Sequence, residues 1–177
     1  MLPADLKAIV SPKVAACLDY ASTLVGVTEV PLGSNRAPDI DAWCREFGSP
    51  LGSYWCALYV GHVRKTHGLW VPSRDVGNCD EWVLQARERG LASSTPVPGA
   101  AAVFTNWSRH TSGRYKGQHD AVHISLVLRV TPRLEDLGGN TTLTGFSRNG
   151  DTVAKKGIDR NRILCWVLPG DTPAAAA

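Results

Sequence analysis

Pro96-Val97-Pro98-Gly99, followed by Ala100-Ala101-Ala102-Val103-Phe104-Thr105, is where the periodicity of the chain changes. Upstream, apolar residues recur three and four positions apart. Downstream, they gather in short β-like runs bounded by Gly, Pro, Asn and Asp. Helices first and strands second predict an α+β fold.

Toward the N-terminus, Ser11-Pro12 reads as a helix cap with proline at the first helical position, and Val14, Cys17, Leu18, Ala21, Leu24 and Val25 keep helical spacing up to Gly26. Val30 to Ala37 is loop. Pro38 opens a short helix that buries Ile40, Trp43, Cys44 and Phe47. A third helix is predicted from near Cys56, with Ala57, Tyr59, Val60 and Val63 inward and Gly68 beyond its end. Asn78 caps a fourth, with Trp82, Val83 and Ala86 inward and Gly90 as its stop.

Toward the C-terminus, strands are predicted over Ala101 to Thr105, Ala121 to Val130, Thr141 to Phe146, Thr152 to Lys155 and Ile163 to Leu168. Asn106 to Asp120 reads as a long polar loop of the kind that carries function. Residues 170–177 read as a frayed tail. One domain over residues 1–177 is expected, since a chain of this length buries a core without metals or disulfides.

Hydrophobic residues at 44% and charged residues at 20% exclude wholesale disorder. The net charge of +3 comes from scattered lysines and arginines, which gives no nucleic-acid footprint but suits a mildly anionic polymer. Five cysteines without a Cys-x-x-Cys pair argue against a disulfide framework or a zinc ribbon. Met1 to Lys7 has no basic leader with an apolar core, so synthesis in the cytoplasm without a signal peptide is expected. The longest apolar runs are too short for stable membrane insertion.

Among the cysteines, Cys56 stands apart. It follows the turn Gly48-Ser49-Pro50-Leu51-Gly52-Ser53 and opens the third helix, whereas Cys17, Cys44, Cys79 and Cys165 lack such a Gly-rich approach and read as small core side chains. A helix N-terminus carries unpaired N–H groups and about half a positive charge, which favours thiolate over thiol. Downstream lie His123, in Ala121-Val122-His123-Ile124-Ser125-Leu126-Val127-Leu128, and Asn140, in Leu137-Gly138-Gly139-Asn140-Thr141. Thiolate, imidazole and polar orienter, in that order, form a cysteine-hydrolase constellation. A histidine in an apolar strand is more often a satisfied core residue, and Cys56 tips His123 toward the catalytic base. His119 reads as a solvated loop residue, and His62 and His67 as helix surface. His110, His119 and His123 lack a zinc-ligand pattern, so no metal and no other cofactor are expected.

Several segments, taken in order, resemble the CHAP family of cysteine, histidine-dependent amidohydrolases and peptidases, relatives of NlpC-type and papain-like enzymes. They are Glu29-x-Pro31-Leu32-Gly33-Ser34-Asn35 with Asp39-Ile40-Asp41-Ala42-Trp43, Trp55-Cys56-Ala57, Pro98-Gly99 before a strand, His123-Ile124-Ser125-Leu126-Val127, Gly139-Asn140-Thr141, and Ser147-Arg148-Asn149-Gly150-Asp151-x-Val153. The resemblance spans most of the chain. It implies a papain-like fold, N-terminal helices packed on a C-terminal antiparallel sheet, and hydrolysis of an amide bond in peptidoglycan, as in phage lysins, autolysins and wall-targeting toxins.

On that resemblance Cys56 attacks the carbonyl, His123 protonates the leaving amine, and Asn140 accepts from the second ring nitrogen of His123. The Cys56 backbone N–H meets the oxyanion with help from Tyr54, and Trp55, Asn35 and Trp107 join the substrate site. Trp107 and Tyr115 either stack on sugar rings or order their own loop. The loop of Asn35, Asp39 and Asp41 lines the groove, binds calcium as in some relatives, or serves as turn chemistry. One departure is that many relatives carry Glu-x-Asn where this chain has Gly138-Gly139-Asn140, leaving Glu135 and Asp136 as the nearby carboxylates.

The resulting expectation is a monomeric peptidoglycan hydrolase, either N-acetylmuramoyl-L-alanine amidase or endopeptidase, acting as a phage endolysin on the periplasmic wall after holin-dependent release. The alternatives are a secreted antibacterial toxin with an immunity protein, and a non-catalytic wall-binding or virion module.

Overall fold

A computed structural model describes residues 3–142 and 150–170. A single turn, α1 (Ala4–Lys7), precedes α2 (Pro12–Thr23). Ser11 starts α2 by accepting from the Val14 N–H at 3.3 Å, and Pro12 occupies the first turn, where no N–H partner is needed. The stripe of Val14, Cys17, Leu18 and Ala21 is buried. Next come α3 (Pro38–Glu46), α4 (Cys56–Thr66) and α5 (Cys79–Glu88). Asn78 caps α5 by accepting from the Asp80 N–H at 2.9 Å, as its place in the sequence predicts. Helix α4 is buried over most of its length because it packs on α2 and α3 on one side and on the sheet on the other.

The strands are β1 (Ala92–Ser93), β2 (Ala101–Arg109), β3 (His119–Arg129), β4 (Glu135–Thr141), β5 (Thr152–Gly157) and β6 (Ile163–Val167). They form one antiparallel sheet in the order β1-β6-β2-β3-β4-β5. The class is therefore α+β, helices N-terminal and strands C-terminal, as expected. Alternation along β2 divides the core. Ala101 and Val103 join Ile124, Leu126 and Leu137 in the main core with the helices, while Ala100, Ala102 and Phe104 join Val127 and Trp166 in a smaller cluster. Leu58 and Ile124 are fully buried in the main core, and truncating either to alanine should cost about 2–5 kcal/mol.

The helix-to-sheet junction depends on Gly99. Its φ of +82° suits glycine, and a Cβ there would approach Val14 to 2.6 Å. The buried Arg64 guanidinium donates to the carbonyls of Gly99, Val167 and Leu168, tying α4 to this junction.

Two boundaries differ from expectation. Strands β2 and β3 run farther toward each other, so residues 110–118 form the loop between them. The strand after β3 occupies Glu135–Thr141, and most of the predicted strand from Thr141 to Phe146, with Ser147 to Asn149, lies outside the described residues. Acidic residues and glycines have low strand propensity. Pairing on both sides overrides that preference here.

Candidate active site

Cys56 is the first residue of α4. Its N-cap is Trp55, which supplies no side-chain cap bond. Most helices neutralise their first N–H groups with a side-chain oxygen at this place, and an indole has none to offer. The Trp55 ring is instead buried and donates through Nε1 to Glu29 Oε1 at 2.9 Å. Cys56 opens onto a cleft of about 420 Å³ whose walls include Tyr54, Asn78, Cys79, Asp80 and Val122. Tyr54 is 49% exposed at the rim.

A bulge in β3 brings His123 to Cys56. Phe104 pairs with His123 but Thr105 pairs with Ala121, so Val122 is an extra residue in β3. Such a bulge bends the strand and re-aims the neighbouring side chain. His123 is buried, with its ring against Phe104 at 5.6 Å between centroids. Hydrogen bonding from Cys79, whose Sγ lies 3.9 Å away, holds the Cys56 thiol well below its ordinary range. The charge and hydrogen bond of His123 and the Ile124 backbone act the same way, and together they outweigh burial.

Asp136 stands on the far side of the imidazole. A Cβ on Gly138 would lie 3.5 Å from His123 Nε2, so this nitrogen faces β4. His123 and Asp136 both line a second cavity of about 200 Å³, with Thr141 and Lys156. The buried Asp136 carboxylate accepts a short hydrogen bond from the Ser125 hydroxyl. Burial pushes its pKa up to about 6, against the opposing pull of Ser125, His123 and Lys156. Cys56, His123 and Asp136 thus lie in sequence across β3, with Asp136 a buried carboxylate on the same side as the glycine at 138.

Asn140 is placed differently from expectation. Its side-chain amide donates to Asn35 Oδ1 at 2.8 Å and to Glu29 Oε1 at 3.4 Å. Its own Oδ1, the atom expected to accept from His123, is buried without a hydrogen-bond partner among the described residues. The cause is a register shift between Gly138 and Thr141, with Asn140 at φ +51° and Gly139 pressed against Trp55 and Tyr59.

Asn35 and Trp55 also belong to this cluster rather than to the cleft wall. Buried Glu29 accepts from the Asn35 backbone N–H, the Trp55 indole and Asn140, which fixes the segment entering α4. Trp107, 52% exposed, donates to the Asn161 carbonyl and meets the His119 ring edge-on, away from the cleft lining. The Tyr115 hydroxyl donates to buried Glu81 at 2.7 Å and accepts from Asn78, pinning its loop onto α5. Asp41 pairs with Arg36 at 2.6 Å.

Two features were missed from sequence. Cys79 packs into the main core as expected but also lines the cleft against Cys56, and the signal was available: it too opens a helix, directly after an Asn cap. His110 Nε2 lies 3.2 Å from Asp80 Oδ1 and 3.7 Å from Asp120 Oδ1. These three side chains form a group able to hold a divalent cation, in place of the His110, His119 and His123 grouping weighed from sequence. No protein-family model, curated protein or solved structure matches this chain.

Proposed function

We propose that this chain is a CHAP-like cysteine amidohydrolase or peptidase that cleaves an amide bond in the peptide stem of peptidoglycan, in the role of a holin-released phage endolysin. The observation that carries this reading is a thiol at a helix start without a side-chain cap, opening on a cleft and held below its ordinary pKa by Cys79 and by the buried histidine at 123. In the mechanism, the Cys56 thiolate attacks the carbonyl carbon and the oxyanion forms at the first turn of α4. His123 gives its proton to the departing amine, water attacks the thioester with His123 as base, and Cys56 leaves as thiolate. The negative charge of Asp136 stabilises the imidazolium, the role first expected of Asn140. Asp136 is a positioning residue in this scheme.

Purified peptidoglycan from Gram-negative cells, digested with wild type and Cys56→Ala and read by mass spectrometry, tests the reading. Free stem peptides beginning with L-alanine identify an amidase, and cuts inside the stem or cross-link identify an endopeptidase. Absence of soluble fragments with wild type, or equal release by Cys56→Ala, defeats the proposal.

A further inference from the structure

The contact between Cys56 and Cys79 has a chemistry of its own. Each cysteine is the first residue of a helix, α4 and α5 respectively, and both line the same cleft. Their sulfurs are 3.9 Å apart. A disulfide needs about 2.05 Å between sulfurs, a closure that small side-chain rotations and shifts of two helix ends can supply. The other thiols are poorly suited to compete. Cys17 bonds to the Val63 carbonyl, and burial pushes its pKa up to about 12; burial pushes Cys165 to about 11 and also raises Cys44.

We propose that Cys56 and Cys79 are a reactive dithiol that closes to a reversible disulfide on exposure to a hydroperoxide, with Cys79 as the resolving thiol. The Cys56 thiolate attacks the terminal peroxide oxygen. An S–O bond forms, the O–O bond breaks, and the alkoxide or hydroxide leaves and takes up a proton. Cys79 sulfur then attacks the Cys56 sulfenic acid. The S–S bond forms, the S–O bond breaks, and hydroxide departs with the Cys79 proton as water. The peroxide gains two electrons and the two thiols lose them. A dithiol reductant reverses the closure by exchange. The linkage itself depends only on the two sulfurs, whereas the loss of hydrolysis it entails rests on the proposed role of Cys56.

The test uses the reduced full chain with stoichiometric hydrogen peroxide, quenched with N-ethylmaleimide, digested and mapped by mass spectrometry. The expected product is one linked peptide pair joining Cys56 to Cys79, with Cys17, Cys44 and Cys165 alkylated. Dithiothreitol should restore the free thiols, and closure should lower iodoacetamide reactivity at Cys56 by at least about tenfold. In Cys79→Ser the expected product is a dimedone-trapped sulfenic acid on Cys56. Wild-type Cys56 carried on to sulfinic or sulfonic acid while Cys79 remains alkylatable overturns the inference, and the wild-type map decides this even if Cys79→Ser does not fold. A linked pair in a protein that releases no wall fragments upholds the dithiol and removes the hydrolase. Fragment release with no linked pair does the reverse.

Discussion

The core between α2 and α4 buries Cys17, the cleft at the head of α4 buries Cys56, and the two surroundings treat these thiols in opposite ways. Cys17 is fully enclosed, bonds to the Val63 carbonyl, and is pushed up to about 12 by burial, which the Arg64 charge only partly offsets. Cys56 is 6% exposed, and its thiol is held well below the ordinary value. Burial alone penalises the charged form. What reverses its sign is a set of donors aimed at the sulfur: Cys79, His123 and the Ile124 backbone, at a helix start. The direction of the thiol's pKa shift therefore follows the element boundary and not enclosure.

Removing each thiol in turn should have very unequal effects. Cys56→Ala should reduce fragment release from peptidoglycan by about 10⁴-fold or more with the fold intact by circular dichroism, and His123→Ala should do nearly as much, since nucleophile and base act as a unit. Cys17→Ala should leave turnover unchanged. Loss of activity in Cys17→Ala alone, with the fold retained, would erase the distinction between the two regions.

Asp136→Asn should come next. It should lower kcat/KM by about 10²-fold at neutral pH, because the imidazolium loses its facing charge while Ser125 keeps an acceptor. Protonation of Asp136 near its pKa of about 6 should also contribute an acidic limb to the wild-type profile that the variant lacks. The stability effect has the opposite sign. A carboxyl raised from 3.8 to about 6 binds its proton more tightly folded than unfolded, so stability falls as pH rises through that window. Asp136→Asn should then raise Tm at pH 7, the protonated-like state costing less to bury. Unchanged kcat/KM would remove Asp136 from the site.

Asn140 sharpens the comparison from the other side. Asn140→Ala removes a bond to Asn35 and leaves the Glu29 cluster one donor short, a loss of about 1–3 kcal/mol measured by urea unfolding. Below the unfolding transition, kcat/KM should stay within a few-fold of wild type. A collapse of kcat without loss of stability would return Asn140 to the role of orienter. The smallest effect should come from chelation: EDTA should leave fragment release nearly unchanged, since the thiolate needs no metal. Complete, cation-reversible loss would give the Asp80, His110 and Asp120 group a catalytic part.

Local signals carried the sequence reading where it agrees with the structure. Ser11 and Asn78 announce their helices through caps, and Cys56 through the turn before it. His123 announces itself by standing polar in an apolar strand. What escaped depends on register. The Val122 bulge follows from how β3 pairs with β2, and the turn-away at Gly139 and Asn140 and the approach of Asp136 to His123 follow from how β4 pairs with β3 and β5, none of which spacing along one strand encodes. Cys79 escaped for another reason. Its approach, Val76-Gly77-Asn78, is not the Gly- and Ser-rich turn that marks Cys56, although the two share the helix-start position.

The neighbours of Cys56 hold its thiol well below the ordinary range, and site-resolved iodoacetamide alkylation against pH reads this at the sulfur itself. The Cys56 rate should rise far less between pH 6 and pH 8 than that of an ordinary thiol, which climbs about 100-fold over those two units, and His123→Ala should steepen the rise while the Cys79 contribution remains. Cys17 should remain slow throughout. A Cys56 rate that climbs in wild type as an ordinary thiol's does, or a flat profile that survives His123→Ala and Cys79→Ser alike, would contradict the account.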